Sequence, residues 1–259
     1  MVGGSEYTAG AVLLAGEAAL RAGAGKLAIA TVEHCASGLS VAVPEALVVG
    51  LACDDRNIAT SAADAVVARA GSADLVLLGP GLVDPAASVA LLDGVLPRLE
   101  CPVVVDALAS AFLTERPEGL HHVKGRAVLT VNPTELARTA GRARDEVDRD
   151  PLAAARAVAD RSQVVVVCGG TSKHVVTPSG GAWVVEGGGP GLGVSGSGDV
   201  QAGIVAGLLA RCGEPAQAAV WGAYVHARIG ERLAAAVGTM GYLARELPAQ
   251  VPSVLAELG

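Results

Sequence analysis

Residues 127–167, AVLTVNPTELARTAGRARDEVDRDPLAAARAVADRSQVVVV, decide the fold. The runs at the two ends are short, apolar and rich in β-branched residues, which predicts buried strands at Ala127–Val131 and 164–167. Between them a helix begins at Pro151, where Asp150 precedes the proline and LAAARAVAD follows it. Two such strands separated by a helix are typical of a parallel sheet covered by helices.

The same alternation continues toward the N-terminus. Apolar runs predict further strands at residues 27–32, 75–78 and 102–105, and Ala-rich stretches predict helices at residues 57–70 and 85–96. We therefore predict one α/β domain over residues 1–259, with a mostly parallel sheet between layers of helices.

The pattern changes after residue 167. Apolar runs at 174–177 and 182–186 flank Pro178-Ser179-Gly180-Gly181, which predicts a β-hairpin. Helices are predicted over 200–211 and 215–237, with shorter ones over 241–246 and after Pro252. The charged stretch 142–150 is expected to be a solvated surface connection.

Composition excludes several classes of protein. The chain of 259 residues has a formal net charge of -7, so a nucleic-acid-binding surface is not expected. The longest run without Asp, Glu, Lys or Arg is residues 215–227, 13 residues, whereas a membrane-spanning helix needs about 20. No basic segment followed by an apolar stretch opens the chain, so we expect a cytoplasmic protein without a secretion signal.

The cysteines suggest no metal or disulfide framework. The five of them are scattered and form neither a Cys-x-x-Cys pair nor a zinc-binding spacing, and they are expected to be reduced thiols, mostly buried. Their positions are 35, 53, 101, 168 and 212.

The strongest chemical signal is Gly196-Ser197-Gly198-Asp199, which leads directly into the apolar helix VQAGIVAGLLA. Glycines allow the backbone to approach a ligand, and the free amides of a helix's first turn favour an anion such as phosphate. Asp199 is either the helix cap or a base that takes a proton from an attacking hydroxyl. We favour the base, because seven glycines lie within residues 187–198.

Other polar residues follow predicted strands. Asn132-Pro133-Thr134-Glu135 has the pattern of a helix-capping box, yet it also lies where parallel sheets bind ligands. Gly79-Pro80-Gly81 and Asp106 follow two more strands. A glycine-rich segment at residues 3–11 suggests a second wall of a ligand pocket, whereas His226, inside a helix, is interpreted as structural. His34, His121 and His122 are expected in surface loops.

On these residues the sequence resembles the ADP-dependent NAD(P)H-hydrate dehydratases, a branch of the ribokinase-like superfamily. The matching segments are GGSEYTAGAVLLAGEAALRAGAGKLAIATVE, PEALVV, LLGPGL, VVDALA, LTVNPTELART, SGSGDVQAGIVAGLLARCG and the tail from AAVWGAYVHA to PAQVP. The resemblance implies a ribokinase-like α/β/α sandwich. It also implies dehydration of NADHX or NADPHX, in which ADP or ATP phosphorylates the ring hydroxyl before elimination, with Mg²⁺ as cofactor.

The resemblance also implies site residues. Asp199 would be the catalytic base and would touch the hydrate, whose pocket Ala11, Gly81 and Asn132 would line. Glu135 would bind the metal. The nucleotide would contact Cys168, Gly169, Gly170, Thr171, Ser172, Lys173, Gly196, Ser197 and Gly198.

Three differences from the family keep other functions open. Asn132 stands where the family usually has His, Cys168 where its nucleotide loop begins with Lys, and residues 106–108 are Asp-Ala-Leu rather than Asp-Ala-Asp. Asn-x-x-Glu is typical of sugar and vitamin kinases in the same superfamily, so a small-molecule kinase is the first alternative. A nucleotide-binding homologue without turnover is the second.

Two expectations concern the assembly. The family has a strand before the segment that begins at Gly3, so the N-terminal strand is expected to be largely missing from the sheet or from this sequence. The abundance of small apolar residues suggests burial between subunits of a homo-oligomer.

Overall fold

A computed structural model describes residues 1–258. Its strands are β1 (Leu27–Val32), β2 (Ala46–Leu51), β3 (Cys53–Asp54), β4 (Asn57–Ile58), β5 (Val76–Leu78), β6 (Val103–Asp106), β7 (Ala127–Val131), β8 (Val165–Cys168), β9 (Lys173–Val176) and β10 (Ala182–Val185). Its α-helices are α1 (Ala9–Arg21), α2 (Glu33–Ala42), α3 (Ala63–Ala70), α4 (Pro85–Val95), α5 (Ser110–Glu115), α6 (Pro133–Ala140), α7 (Arg144–Arg149), α8 (Pro151–Ser162), α9 (Ser197–Cys212), α10 (Pro215–Ala236) and α11 (Val251–Ala256).

The central sheet is mostly parallel. Strands β5 to β8 pair in parallel with one another, and the antiparallel hairpin of β9 and β10 adds to β8 at one edge, in the order β10-β9-β8-β7-β6-β5. Strands β1 and β2 form a second parallel pair. Helices cover both faces, so the predicted three-layer α/β/α sandwich is confirmed.

The N-terminal residues join the two parts of the sheet. Val2 bridges Ala30 of β1 and Leu78 of β5, in parallel with both. Its amide donates to the carbonyl oxygen of Leu77 at 2.8 Å, and its own carbonyl oxygen accepts from Gly79 at 3.1 Å. Residues 1–3 thus occupy a strand position between β1 and β5.

Each central strand is buried on both faces. In β6, Val103 and Val105 pack toward α4 and α6, whereas Val104 packs toward α9 and α10. All strand residues of β6 and β7 are buried. This two-sided burial explains why the strands are continuous apolar runs rather than alternating ones.

Two glycines let α1 and α9 pack closely. A Cβ atom on Gly203 would lie 2.2 Å from the carbonyl oxygen of Ala15, and one on Gly207 would lie 2.4 Å from that of Ala19. Only glycine fits at such a backbone contact. The contact places the start of α9 next to the loop that precedes α1.

Several local predictions were wrong. Residues 57–58 form a strand rather than the start of a helix, because Asp55 and Arg56 adopt positive φ angles of 41° and 66° in a tight hairpin turn between β3 and β4. The charged stretch 142–150 is exposed apart from Val147, as predicted, and contains the short helix α7. Strand β2, whose outer face is more exposed, was not predicted.

The cysteines are less buried than the sequence predicts. Within residues 1–258 all five cysteines are free, but only Cys168 is fully buried and Cys212 is exposed, so the expectation of mostly buried thiols was wrong. No helix in the described part of the chain combines the length and hydropathy that a membrane crossing requires.

Candidate functional site

The N-terminal loop and the loop after β5 lie against each other at the carboxyl edge of the sheet. Thr8 Oγ1 donates a hydrogen bond of 2.6 Å to the carbonyl oxygen of Gly81. A Cβ atom on Gly81, whose φ is +72°, would lie 2.9 Å from the Cβ of Ala11. The structure therefore brings together Ala11 and Gly81, two of the three residues predicted to line the hydrate pocket.

The first turn of α9 lies at this same edge. Gly196, with φ +91°, turns the chain into the helix, and it packs against Leu14 of α1 and Ala244 of the C-terminal tail. The Ser197 amide donates to Val194 at 3.2 Å. The amides of Gly198 and Asp199 donate to no other backbone group within residues 1–258. They are the unpaired donors from which helix N-termini build anion sites.

Three carboxyl groups lie at this turn: Asp199 within it, and Asp106 and Glu135 beside it. Burial, with a contribution from the charge of Glu135, raises the pKa of Asp199 to about 6. Burial, followed by the charge of Asp199, raises the pKa of Asp106 well above its usual range. Burial also raises the pKa of Glu135. Neighbouring carboxyl groups with raised pKa values are typical of acid–base or metal-binding sites.

Asp106 is the most buried member of the cluster. Its Oδ1 accepts a hydrogen bond of 2.6 Å from Thr130 Oγ1. Its Oδ2 is buried and has no hydrogen-bond partner in residues 1–258. In the sequence, Asp106 is recognisable only as a polar residue at a strand end, because its position beside Asp199 depends on the tertiary structure.

Asn132 and Glu135 cap the start of α6. Asn132 Oδ1 accepts from the amides of Thr134 and Glu135 at 2.9 and 3.0 Å, and Glu135 Oε2 accepts from the Asn132 amide at 2.9 Å. The capping-box interpretation is confirmed. The capping contacts still leave Glu135 close enough to Asp199 for its charge to act on that carboxyl group.

The loop after β8 lies beside this cap. The Gly169 amide donates to the carbonyl oxygen of Val131 at 2.8 Å, and Gly170 lies near Pro133. The Cys168 side chain points into the core, where burial raises its pKa to about 12. Only the backbone of Cys168 faces this edge, whereas Thr171 is exposed and Ser172 is half-buried.

Lys173 ends this loop and is buried. It forms no ion pair within residues 1–258. Its Nζ lies 3.5 Å from the position of a Cβ on Gly188, in the glycine-rich stretch. Burial lowers the pKa of Lys173 to about 8. An unpaired cation beneath a glycine-lined surface suits a phosphate group.

His226 of α10 holds the start of α9. Its Nε2 lies 2.9 Å from Ser197 Oγ and 3.0 Å from the Ser197 carbonyl oxygen. Burial, with a contribution from Lys173, lowers the pKa of His226 to about 3, so the ring is neutral. His226 was predicted to be structural, but no local pattern indicates that Ser197 is its partner. His34 was expected in a loop and lies in α2.

The fold and this site define the chain as a member of the ribokinase-like class of proteins. A solved ribokinase-like superfamily protein from Enterococcus faecalis matches it with a TM-score of 0.84 and 25% identity, over 99% of this chain and 85% of that one. The family model described as NAD(P)H-hydrate dehydratase matches residues 1–253. The chain therefore belongs to the NAD(P)H-hydrate dehydratase family.

Individual relatives agree with this assignment. The ADP-dependent (S)-NAD(P)H-hydrate dehydratase of Xanthomonas campestris is 42% identical over 258 residues, which span 100% of this chain and 88% of that protein. The ADP/ATP-dependent NAD(P)H-hydrate dehydratase of Bacillus subtilis, co-crystallised with ATP/Mg²⁺, matches with a TM-score of 0.80 and 26% identity, over 100% of this chain and 88% of that one. The chain spans 49% of the bifunctional NAD(P)H-hydrate repair enzyme of Moorella thermoacetica.

Proposed function

We propose that this protein is a hydro-lyase that converts NADHX or NADPHX to NADH or NADPH with ADP as the phosphoryl donor. The observation that carries the proposal is the position of Asp199. It stands in the first turn of α9, next to the free amide of Gly198 and within the electrostatic influence of Asp106 and Glu135. This arrangement suits transfer of a phosphoryl group to an alcohol.

In the first step Asp199 accepts the proton of the substrate's ring hydroxyl. A pKa of about 6 leaves Asp199 mostly ionised at neutral pH, yet basic enough to take that proton. The hydroxyl oxygen bonds to the β-phosphorus of ADP, and the bond from that phosphorus to the bridging oxygen breaks, which releases AMP. The amides of Gly198 and Asp199 stabilise the charge on the transferring group.

In the second step the ring expels the new phosphate ester. The ring nitrogen's lone pair assists the cleavage of the C–O bond, a proton leaves the neighbouring ring carbon, and a C=C bond forms. The products are inorganic phosphate and the reduced nicotinamide. No oxidant or reductant is needed, since the overall change is the removal of water coupled to the conversion of ADP to AMP.

The positions of the other site residues support their assignment to the hydrate and the nucleotide. We assign Ala11, Gly81 and Asn132 to the hydrate pocket. The nucleotide would contact the backbone of residues 168–170, the side chains of Thr171, Ser172 and Lys173, and residues 196–198. The buried ammonium of Lys173 supports a phosphate contact in an otherwise acidic protein.

The residues present fit a magnesium ion. Carboxylate oxygens are preferred Mg²⁺ ligands, and the unpaired buried Oδ2 of Asp106 is a free donor of that type. We propose that Asp106 and Glu135 hold the ion beside Asp199. When bound, magnesium neutralises charge on the nucleotide phosphates.

The direct test mixes the purified chain with NADHX, Mg²⁺ and ADP, and follows NADH by its absorbance. Recovery of NADH that depends on nucleotide supports the proposal, and replacement of ADP by ATP decides the donor. Absence of NADH from both mixtures, with nucleotide bound, contradicts it and supports the homologue without turnover.

A small-molecule kinase is the alternative that Asn132 and Glu135 favour in sequence. Consumption of nucleotide only when a simple alcohol is added, with a stable phosphate ester as product, supports the kinase. The two enzymes are distinguished by the fate of the ester, which the dehydratase eliminates.

We further propose that residues 1–259 act as one domain in the cytoplasm and assemble into a homo-oligomer. The exposed Trp183 on the edge strand β10 and the exposed Trp221 on α10 support an assembly contact. Light scattering of the purified chain measures the oligomeric state.

A further inference from the structure

Away from the carboxylate cluster, three potential ligand side chains from three separate segments converge. Glu6 belongs to the N-terminal loop, His34 to the first turn of α2, and Cys53 to β3. Nδ1 of His34 lies 3.1 Å from Glu6 Oε1. Sγ of Cys53 lies 3.8 Å from the same oxygen. One ligand atom of each residue lies within 4.8 Å of the other two.

Two of these separations are close to those between neighbouring ligand atoms around a tetrahedral metal ion. Bond lengths of about 2.0 Å to oxygen and nitrogen and about 2.3 Å to sulfur place neighbouring ligand atoms about 3.3 to 3.6 Å apart. The observed 3.1 and 3.8 Å lie on either side of that range. No pair of the three ligand atoms is more than 4.8 Å apart, so side-chain rotations that close these gaps would bring all three atoms into contact with one ion.

We propose that Glu6, His34 and Cys53 form a zinc site with three protein ligands and a fourth position for water. A thiolate, an imidazole and a carboxylate together suit Zn²⁺, whereas Mg²⁺ and Ca²⁺ prefer oxygen ligands alone. Each side chain is at least partly accessible, so an ion can reach the site from solvent.

Arg56 orients the carboxylate for this role. Its Nε lies 3.9 Å from Glu6 Oε2, and its guanidinium lies over the Tyr7 ring at 5.2 Å. The Glu6 amide also donates to the Arg56 carbonyl oxygen at 3.0 Å. Oε2 thus faces Arg56, which leaves Oε1 directed at His34 and Cys53.

A bound ion would stabilise the N-terminal loop, which forms one side of the proposed hydrate pocket. Glu6 lies two residues before Thr8, whose hydroxyl holds Gly81. Cys53 belongs to the β3–β4 hairpin, a short element with a two-residue turn. Zinc would therefore link this hairpin, α2 and the N-terminal loop, at a place separate from the chemistry at Asp199.

The test measures binding of the metal alone. Metal-free protein is titrated with ZnCl₂ against a chromophoric chelator, and one Zn²⁺ per chain is expected with a dissociation constant of about 1 µM or below. Cys53→Ser and His34→Ala should each weaken binding by about 100-fold or more, since loss of a direct ligand exceeds the cost of losing a supporting contact. Cys212→Ser, which removes an exposed thiol elsewhere, is the matched control.

Cobalt provides a second measurement. Co²⁺ in place of zinc should give a thiolate charge-transfer band and the intense visible bands of tetrahedral coordination, which Cys53→Ser abolishes. Cys35→Ser should keep both, although the Cys35 thiol is also near this loop. Sub-stoichiometric zinc, or unchanged binding in Cys53→Ser, overturns the proposal. Zinc binding and the cobalt spectrum do not depend on catalysis, so their results test the zinc site independently of the proposed function.

Discussion

His226 Nε2 lies 2.9 Å from Ser197 Oγ and 3.0 Å from the Ser197 carbonyl oxygen, so one neutral imidazole holds the residue that begins α9. The next two residues, Gly198 and Asp199, present the free amides and the carboxylate of the site. A buried side chain on α10 thereby positions the proposed phosphoryl-binding turn without contact to a ligand.

Two substitutions of His226 should distinguish the contribution of its hydrogen bond to stability from the contribution of its packing. His226→Ala should lower the free energy of unfolding by about 2 to 4 kcal/mol, because it leaves a cavity and an unpaired Ser197. His226→Gln keeps a donor near the Nε2 position and should recover at least half of that loss. Chemical denaturation measures both variants. Equal losses in the two would contradict a role for the hydrogen bond.

The stability of the protein should depend on pH through the same residue. The folded-state pKa of His226 is about 3, whereas the unfolded value is about 6.5. Below about pH 6.5 only the unfolded chain takes up this proton, so the stability contribution is complete above pH 6.5 and declines as pH falls toward 3. The slope is up to about 1.4 kcal/mol per pH unit. Denaturation curves between pH 7 and 4.5 measure it, and His226→Gln should flatten the dependence.

Asp199→Asn should abolish turnover and leave nucleotide affinity within about threefold. Loss of a general base costs about 10² to 10⁴ in rate, whereas the amides of the turn stay in place. The variant should also be more stable at pH 7 by about 1 kcal/mol, because the half-buried carboxylate is ionised there at a cost. Single-turnover assays, calorimetry and melting temperatures measure the three effects. Normal turnover in this variant would remove Asp199 from the mechanism.

The pH dependence of kcat/KM should be bell-shaped. Activity should rise with pH through about 6 as Asp199 loses its proton, and decline above about 8 as Lys173 loses its charge. Lys173→Met should weaken nucleotide binding and remove the alkaline limb while it keeps the acid limb. A profile with no acid limb would argue against Asp199 as the base.

Gly198→Ala tests the anion site without disturbing the fold. A Cβ atom at Gly198 would meet no other atom within 4 Å, so the free protein should be as stable as the parent. A nucleotide phosphate close to the Gly198 amide would meet that methyl group, and affinity for ADP should fall by about tenfold or more. Gly38→Ala in α2, where a Cβ also has open space, is the matched control and should bind normally.

The sequence alone determined the class of fold, because apolar runs bounded by capping residues are local signals. Strands β1 and β7 and the start of α8 at Pro151 were predicted at their observed bounds. The helix predicted at residues 57–70 is confirmed over Ala63–Ala70, but its start was wrong because the β3–β4 turn depends on positive φ angles at Asp55 and Arg56, which their residue types do not specify.

The sequence also predicted which turn would bind a ligand, since glycines that lead into a helix with an aspartate in its first turn are contiguous. Only the tertiary structure decided what surrounds that turn. The packing places the unpaired Oδ2 of Asp106 near Asp199 and brings His226 into contact with Ser197. It also brings the side chains of Glu6, His34 and Cys53 together. Such pairs are remote along the chain, and side chains on different elements meet only through the packing of helices on a sheet, which no local pattern encodes.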